Sequence, residues 1–170
     1  MGNSKHYIIT AITLGIIGAG SAGLIGLTNL ITKDQIEKNQ IEKINKGLAM
    51  VFEEGTSFSE ANSIDGVQYL DAYYTAKKES DTLGYIFQTT GSNMYGKISM
   101  LVGIDTEFEV GNIYLVTNEQ TYAQTLVDNY VNPYNKDDVE LDDVSCGATY
   151  GAKLVRTMAQ AAQSWAKANL

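Results

Sequence analysis

The stretch DVSCGATYGAKLV, residues 143–155, contains residue types that together could bind an anion. Gly147 and Ala148 are small enough to let a ligand approach the backbone closely. Thr149 adds a hydroxyl group just before the predicted C-terminal helix, where free N–H groups and the positive end of the helix dipole favour a phosphate. An ordinary capped helix start would have the same composition, so these residues alone leave both interpretations open.

The same stretch resembles the flavinylation motif D-x-x-[S/T]-G-A-[T/S] of the FMN-binding domain family. Asp143, Gly147 and Ala148 match fixed positions of that motif, and Thr149 matches its acceptor. The family includes the G subunit of the Rnf electron-transport complex and the C subunit of the sodium-pumping NADH:quinone reductase. The resemblance implies FMN joined to Thr149 by a phosphoester bond, which a flavin transferase that uses FAD would install.

Segments upstream extend the resemblance. LGYIF and YGKISMLVGID are similar to the family's Gly-Tyr strand and its G-x-I-x-x-x-V-G-I-D strand. Three positions depart from the pattern: Cys146 replaces a usual Ser or Thr, Gly151 stands where a hydroxyl residue often follows the acceptor, and EQTYAQTL (119–126) replaces E-T-P-G-L-G. The last departure leaves open which residues cover the isoalloxazine ring.

Other side chains near the motif each have two interpretations. Cys146 is either a redox thiol or a small packing residue at a tight turn. Lys153, one turn beyond Thr149, could pair with the phosphodiester or lie solvated on the helix surface. Three aromatic residues could stack on a flavin or pack in the sheet: Tyr85, Tyr95 and Tyr122.

Composition excludes several classes of function. The chain has 20 acidic and 12 basic residues, which argues against a nucleic-acid partner because phosphate contacts need a basic surface. The single cysteine, Cys146, excludes an intrachain disulfide and a cysteine-based metal cluster. The single histidine, His6, excludes histidine-based triads. The sequence therefore assigns no catalytic residue and no metal ligand, and demanding chemistry would belong to a cofactor.

Hydrophobic patterning predicts an α+β fold. Residues 67–76, 83–90, 97–105 and 112–118 have the composition of strands, and their short connections favour antiparallel neighbours. Residues 121–132 are predicted to form a helix that stops before Pro133, followed by an acidic loop over 136–143. Residues 152–170 form an amphipathic pattern, so we expect a C-terminal helix that covers the sheet.

The N-terminal segment Tyr7–Ile31 contains no charged residue. A helix of this length measures roughly 37 Å, enough to cross a hydrocarbon core of about 30 Å, and it predicts a membrane span. GAGSAG (18–23) fits the dinucleotide pattern G-x-G-x-x-G, but no strand with a terminal acidic residue follows it. The glycines are therefore interpreted as small-xxx-small packing positions for a neighbouring helix.

These predictions give three regions: a membrane anchor (1–32), a helical stalk (33–55) and an FMN-binding domain (56–170). The family resemblance implies a single-pass protein of the cell membrane with its soluble domain on the extracytoplasmic side. Its expected function is that of an electron-transfer subunit in an ion-translocating Rnf-type oxidoreductase, with membrane subunits as partners. Two alternatives stay open: a free-standing extracytoplasmic FMN carrier, and a flavin-free anchored binding domain in which SCGAT only caps a helix.

Overall fold

The computed structural model describes residues 3–52 and 57–170 of the chain. Within the first helix it describes only the backbone at residues 3–6, 17, 20, 22–38 and 40. The chain divides into two compact units, Met1–Glu42 and Lys43–Leu170.

One continuous helix, α1 (Asn3–Val51), covers both the predicted anchor and most of the predicted stalk. Among the described residues, no helix combines the length and the apolar character that crossing a membrane requires. Many side chains of the predicted span, those of residues 17, 20 and 22–31, lie outside the described part. The structure therefore does not confirm the predicted membrane span.

The second unit contains an antiparallel sheet of six strands, which confirms the α+β prediction and its antiparallel pairing. Four strands correspond to the predicted ones, and two short strands precede them in a segment for which no strand is predicted. The strands are β1 (Ser57–Phe58), β2 (Asn62–Ser63), β3 (Leu70–Lys78), β4 (Asp81–Asn93), β5 (Gly96–Asp105) and β6 (Val110–Asn118). Their order is β1-β3-β4-β5-β6, and β2 also pairs with β3.

Helices pack on both faces of this sheet. Because side chains alternate between the faces of a strand, Phe87 and Met100 face the C-terminal helix, whereas Ile86 and Leu101 face the end of α1. Gly47 permits close packing there, since a Cβ at this position would lie 2.5 Å from Cδ1 of Tyr114. Burial on both faces explains why the interior strand β5 reads as a nearly continuous apolar run.

The segment after β6 is helical from residue 123 to residue 134. It consists of α2 (Ala123–Leu126), a π-helical turn (Val127–Val131) and α3 (Asn132–Tyr134). The prediction that the helix stops before Pro133 is therefore wrong. The π-helical turn places its hydrogen bonds five residues apart, so the helix accommodates Pro133 directly after it.

The C-terminal helix α4 (Thr149–Asn169) begins three residues earlier than predicted. Its apolar stripe packs on the sheet as expected, and Trp165 near its far end contacts Tyr73 and Phe87 at centroid distances of 5.5 and 5.7 Å. The loop that joins α3 to α4 contains the acidic segment 136–143 and ends directly before the first residue of α4, Thr149.

Candidate functional site

Thr149 is the first residue of α4 and is half-buried. Ala148 precedes it as the N-cap, and no side chain of the described residues makes a capping hydrogen bond there. The first-turn N–H groups of a helix have no partners within the helix itself. The SCGAT segment thus contains the N-cap residue of α4, and no side chain accepts a hydrogen bond from the first-turn N–H groups at that cap among the described residues.

Thr149 lines a cavity of about 250 Å³ that opens at the surface. The far wall comes from the β4–β5 hairpin and from the segment that replaces the family's E-T-P-G-L-G loop. The lining residues are Tyr95, Gln120, Tyr122, Leu126, Gly147, Ala148, Thr149, Tyr150 and Gly151.

Three tyrosines form one aromatic group in this cavity. The ring centroids of Tyr95 and Tyr150 lie 5.2 Å apart, and those of Tyr95 and Tyr122 lie 6.2 Å apart. Tyr122 and Tyr150 are more than half exposed. These flat faces at the cavity mouth suit a planar aromatic ligand.

Hydrogen bonds fasten the β4–β5 hairpin to the start of α4. The side-chain nitrogen of Asn93 donates to the carbonyl of Tyr150 (3.0 Å), and its oxygen accepts from the backbone N–H of Tyr95 (2.9 Å). The backbone N–H of Thr121 donates to the carbonyl of Tyr95 (2.9 Å). Tyr95 is therefore held in place relative to Thr149 by groups on both sides of the cavity.

The backbone before Thr149 takes a conformation that favours glycine. Gly147 has a φ of +84°, in the left-handed region. Just before it, the carbonyl of Cys146 accepts a hydrogen bond from the side-chain nitrogen of Asn129 (3.1 Å). Cys146 itself is half-buried and packs against the main core, as expected of a small packing residue.

Close packing accounts for the glycine after the acceptor. A Cβ at Gly151 would lie 3.0 Å from Cδ2 of Leu126 and 3.4 Å from Oε1 of Gln120. Leu126 is fully buried, so it has little freedom to move. The side chains of Leu126 and Gln120 thus occupy the space that a hydroxyl residue at position 151 would need.

Asp143 and Lys153, both assigned to the site from the sequence, lie outside the cavity lining. Asp143 is exposed in the loop before α4, and its backbone N–H donates to the carbonyl of Glu140. Lys153 is exposed, with its ammonium nitrogen 6.0 Å from the centroid of the Tyr150 ring. That distance is at the outer limit of a cation–π contact.

The loop that carries Asp143 is tied to α4 by the neighbouring residue. A guanidinium nitrogen of Arg156 lies 3.5 Å from a carboxylate oxygen of Asp142. Asp142 is largely exposed, so this ion pair is screened and contributes at most about 1 kcal/mol. It is a contact between the acidic loop and the first turns of α4.

Of the three tyrosines that the sequence offers for stacking, the structure places two at the cavity and one elsewhere. Tyr95 and Tyr122 line the cavity, but Tyr85 packs on the core side of the sheet, 6.3 Å from Tyr73. Tyr150 was missed, although it directly follows the proposed acceptor and lies in the first turn of α4. Gln120 and Leu126 were missed because their role depends on how the 119–126 segment folds.

The residues of the cavity fit a phosphate-linked aromatic group. The open helix start favours an anion, the Thr149 hydroxyl can carry an ester, and the tyrosines offer stacking surfaces. The cavity is smaller than the 300–1,000 Å³ typical of pockets that enclose a whole small molecule, so part of such a group would lie at the surface. Among the described residues, no group of three or more His, Cys, Asp or Glu side chains is placed to hold a metal ion.

A comparison with known protein families matches the N-terminal part of the chain. Residues 1–51 match the family described as the RnfG N-terminal region. The chain resembles the RnfG subunit. The match covers 51 of the 170 residues and does not include the cavity or the 143–155 stretch. A comparison with the curated proteins finds none that matches this chain.

Proposed function

We propose that this chain is an electron-transfer subunit of an Rnf-type complex that carries FMN covalently on Thr149. The observation that carries the proposal is the position of the Thr149 hydroxyl, at an uncapped helix start and on the wall of a tyrosine-lined cavity. The RnfG-type N-terminal region independently supports an electron-transport role.

The chain's own groups would bind and orient the flavin, which would supply transfer of one or two electrons. The first-turn amides of α4 and its helix dipole favour the phosphate at Thr149. Tyr95, Tyr122 and Tyr150 offer faces for the ring at the cavity mouth, where a redox partner could approach. The exposure of Tyr122 and Tyr150 supports a ring placed at the surface rather than one enclosed by protein.

Membrane attachment and partners belong to the same proposal. The uncharged segment Tyr7–Ile31 and the RnfG-type region over residues 1–51 support a single-pass anchor beside membrane subunits. We place the second unit on the extracytoplasmic side, as the family resemblance implies. There a covalent bond would retain a cofactor that could not be replaced. A flavin transferase that uses FAD would install the FMN, reading the exposed loop that carries Asp143.

Substitution of Thr149 tests the proposal. The full chain, co-expressed with a flavin transferase, should gain the mass of FMN and show a fluorescent band that survives a denaturing gel. Thr149→Ala should lose both signals, whereas Thr149→Ser should keep them. Since Thr149 makes no capping hydrogen bond to the described residues, Thr149→Ala should change the melting temperature little.

Thr157→Ala is the matched control, because it removes an exposed hydroxyl from the same helix. That hydroxyl donates only to the carbonyl of Lys153, one turn earlier. The control should keep full flavin loading. Flavin on Thr149→Ala at the parent level would overturn the assignment of the acceptor, and no flavin on the parent chain would overturn the proposed cofactor.

A further inference from the structure

Gln120 is a buried polar residue on the cavity wall, with 7% of its surface exposed. Its side-chain nitrogen donates to the side-chain oxygen of Asn93 (3.1 Å) and to the carbonyl of Gly96. The oxygen of Asn93 is identified by its second bond, since it also accepts the backbone N–H of Tyr95. Both N–H groups of the Gln120 amide are therefore committed to protein acceptors.

This network fixes which way the Gln120 amide points. With the nitrogen held by two acceptors, the oxygen Oε1 must face away from Asn93 and Gly96. It lies 3.4 Å from the position that a Cβ would take on Gly151, beside the first turn of α4. Oε1 accepts no hydrogen bond from the described residues. The cavity wall thus presents an oriented acceptor that only a donor can satisfy.

We infer that Gln120 Oε1 accepts a hydrogen bond from a hydroxyl of the ribityl chain of the flavin on Thr149, an inference that rests on the proposed function. Gly151 and Thr149 both line the cavity and both lie in the first turn of α4. A donor that meets Oε1 therefore lies in the same cavity as the attached phosphate. A phosphodiester has only acceptors, and the ring lies at the far end of the ribityl chain, so the ribityl hydroxyls are the nearest donors.

This contact makes the cavity selective for a polyol next to the phosphate. A group without a hydroxyl at that place would shield Oε1 from water without replacing the hydrogen bond that water makes, which disfavours binding. Gln120 is in this sense a specificity-determining residue. It acts through its oxygen, whereas its nitrogen joins the hairpin to the 119–126 segment.

A thermodynamic cycle separates the two roles of Gln120. The full chain and its Gln120→Met variant are each prepared with and without co-expressed flavin transferase, and the melting temperature of all four forms is measured. Loss of the nitrogen's bonds lowers the melting temperature with or without flavin. Loss of the ribityl contact lowers it only with flavin, so the increase caused by flavin should be about 2–4 °C smaller in Gln120→Met.

Gln124→Met is the matched control, because Gln124 lies in the same segment but is exposed and bonded to Asp128. The rise in melting temperature that flavin causes in Gln124→Met should equal the rise in the parent. If Gln120→Met carries flavin and shows the same rise as the parent, the inference is overturned and the proposed function still stands. Absence of flavin from the parent chain would instead overturn the proposed function.

Periodate identifies the donor, because it cleaves vicinal diols and so releases the ring from the chain through the ribityl group. The parent and Gln124→Met should retain band fluorescence several-fold longer than Gln120→Met. A smaller flavin-dependent increase in melting temperature combined with unchanged release would overturn the ribityl assignment in favour of a donor on the ring.

Discussion

The side-chain nitrogen of Asn129 donates a 3.1 Å hydrogen bond to the carbonyl of Cys146, three residues before Thr149. Asn129 lies in the π-helical turn, an irregular element that often occurs at functional sites. This bond connects the segment after β6 to the loop that leads into α4. It is one reason why the backbone reaches Thr149 in a defined conformation.

We predict that Asn129→Asp slows attachment of flavin to Thr149. The substitution keeps the shape of the side chain but replaces the donor with an acceptor that faces the Cys146 carbonyl. Because the bond is exposed, stability should fall by no more than about 1 kcal/mol. The measurement is the initial rate of flavin incorporation by a flavin transferase, followed by gel fluorescence. Asn132→Asp, an exposed position in the adjoining α3, is the control; equal rates for the two variants would contradict the prediction.

Gly147→Ala should both destabilise the second unit and reduce flavin loading. Its φ of +84° is strained for alanine, at about 1–2 kcal/mol. Space is not the obstacle, since a Cβ would lie 3.4 Å from Thr125. Gly66→Ala is a matched control with a similar φ of +73° and no described atom within 4 Å of its Cβ. The melting temperature should fall in both variants, but flavin loading should fall only in Gly147→Ala. Similar loading in both variants would contradict a role of the turn at Gly147 in flavin attachment.

Asp143→Ala should impair flavin attachment strongly and change stability little. The carboxylate matches the motif's acidic position and lies exposed, where a transferase could contact it. Removing an exposed charge outside the cavity changes stability by about 0.5 kcal/mol or less. Flavin mass and melting temperature are both measured. Asp138→Ala, exposed in the same loop, should load normally; normal loading of Asp143→Ala as well would refute the role of this carboxylate.

The stability of the second unit should decline at alkaline pH. Burial raises the pKa of Tyr130 well above 10, with the nearby Tyr134 adding to the effect, and burial also raises the pKa of Tyr134 and Tyr74. The unfolded chain ionises its tyrosines near pH 10. These groups therefore stabilise the fold fully below about pH 10 and progressively less as pH rises toward their folded pKa values.

The variant Tyr130→Phe tests whether Tyr130 contributes to this loss of stability at alkaline pH. It removes the hydroxyl that donates to the carbonyl of Leu141, so at neutral pH the free energy of unfolding should fall by about 0.5–1.5 kcal/mol. Between about pH 9 and pH 11, however, the variant should lose less stability than the parent. Urea unfolding at a series of pH values measures both effects. If the free energy of unfolding of Tyr130→Phe falls with pH as steeply as that of the parent, Tyr130 does not contribute to the decline.

Gly15→Leu should leave the second unit and its flavin unchanged but weaken association with membrane partners. A Cβ at Gly15 meets no atom of the described residues within 4 Å. In the proposed anchor, a large side chain would instead hold a neighbouring helix away. The readouts are flavin fluorescence and co-purification of membrane subunits in detergent. Full partner recovery with Gly15→Leu would contradict the assigned packing face.

The residue pattern alone determined much of the second unit. Richness in Tyr, Ile and Val located four strands to within a few residues, because such residues suit the half-buried or fully buried surface of a sheet. The short connections determined their antiparallel pairing. The 3.6-residue stripe after Gly151 determined which face of α4 packs on the sheet. The motif residues Gly147, Ala148 and Thr149 were also located correctly at the start of a helix.

Tertiary structure decided what surrounds Thr149. The cavity joins residues from the β4–β5 hairpin, the 119–126 segment and the start of α4. The hydrogen bond from Asn93 to Tyr150, which holds the hairpin to α4, joins residues 57 positions apart. A local pattern cannot predict such pairings, since Tyr85 and Tyr95 are both tyrosines of the sheet region and only their positions in the fold separate core from cavity. The orientation of the Gln120 amide likewise depends on acceptors distant in sequence, Asn93 and Gly96, which the folded chain alone brings together.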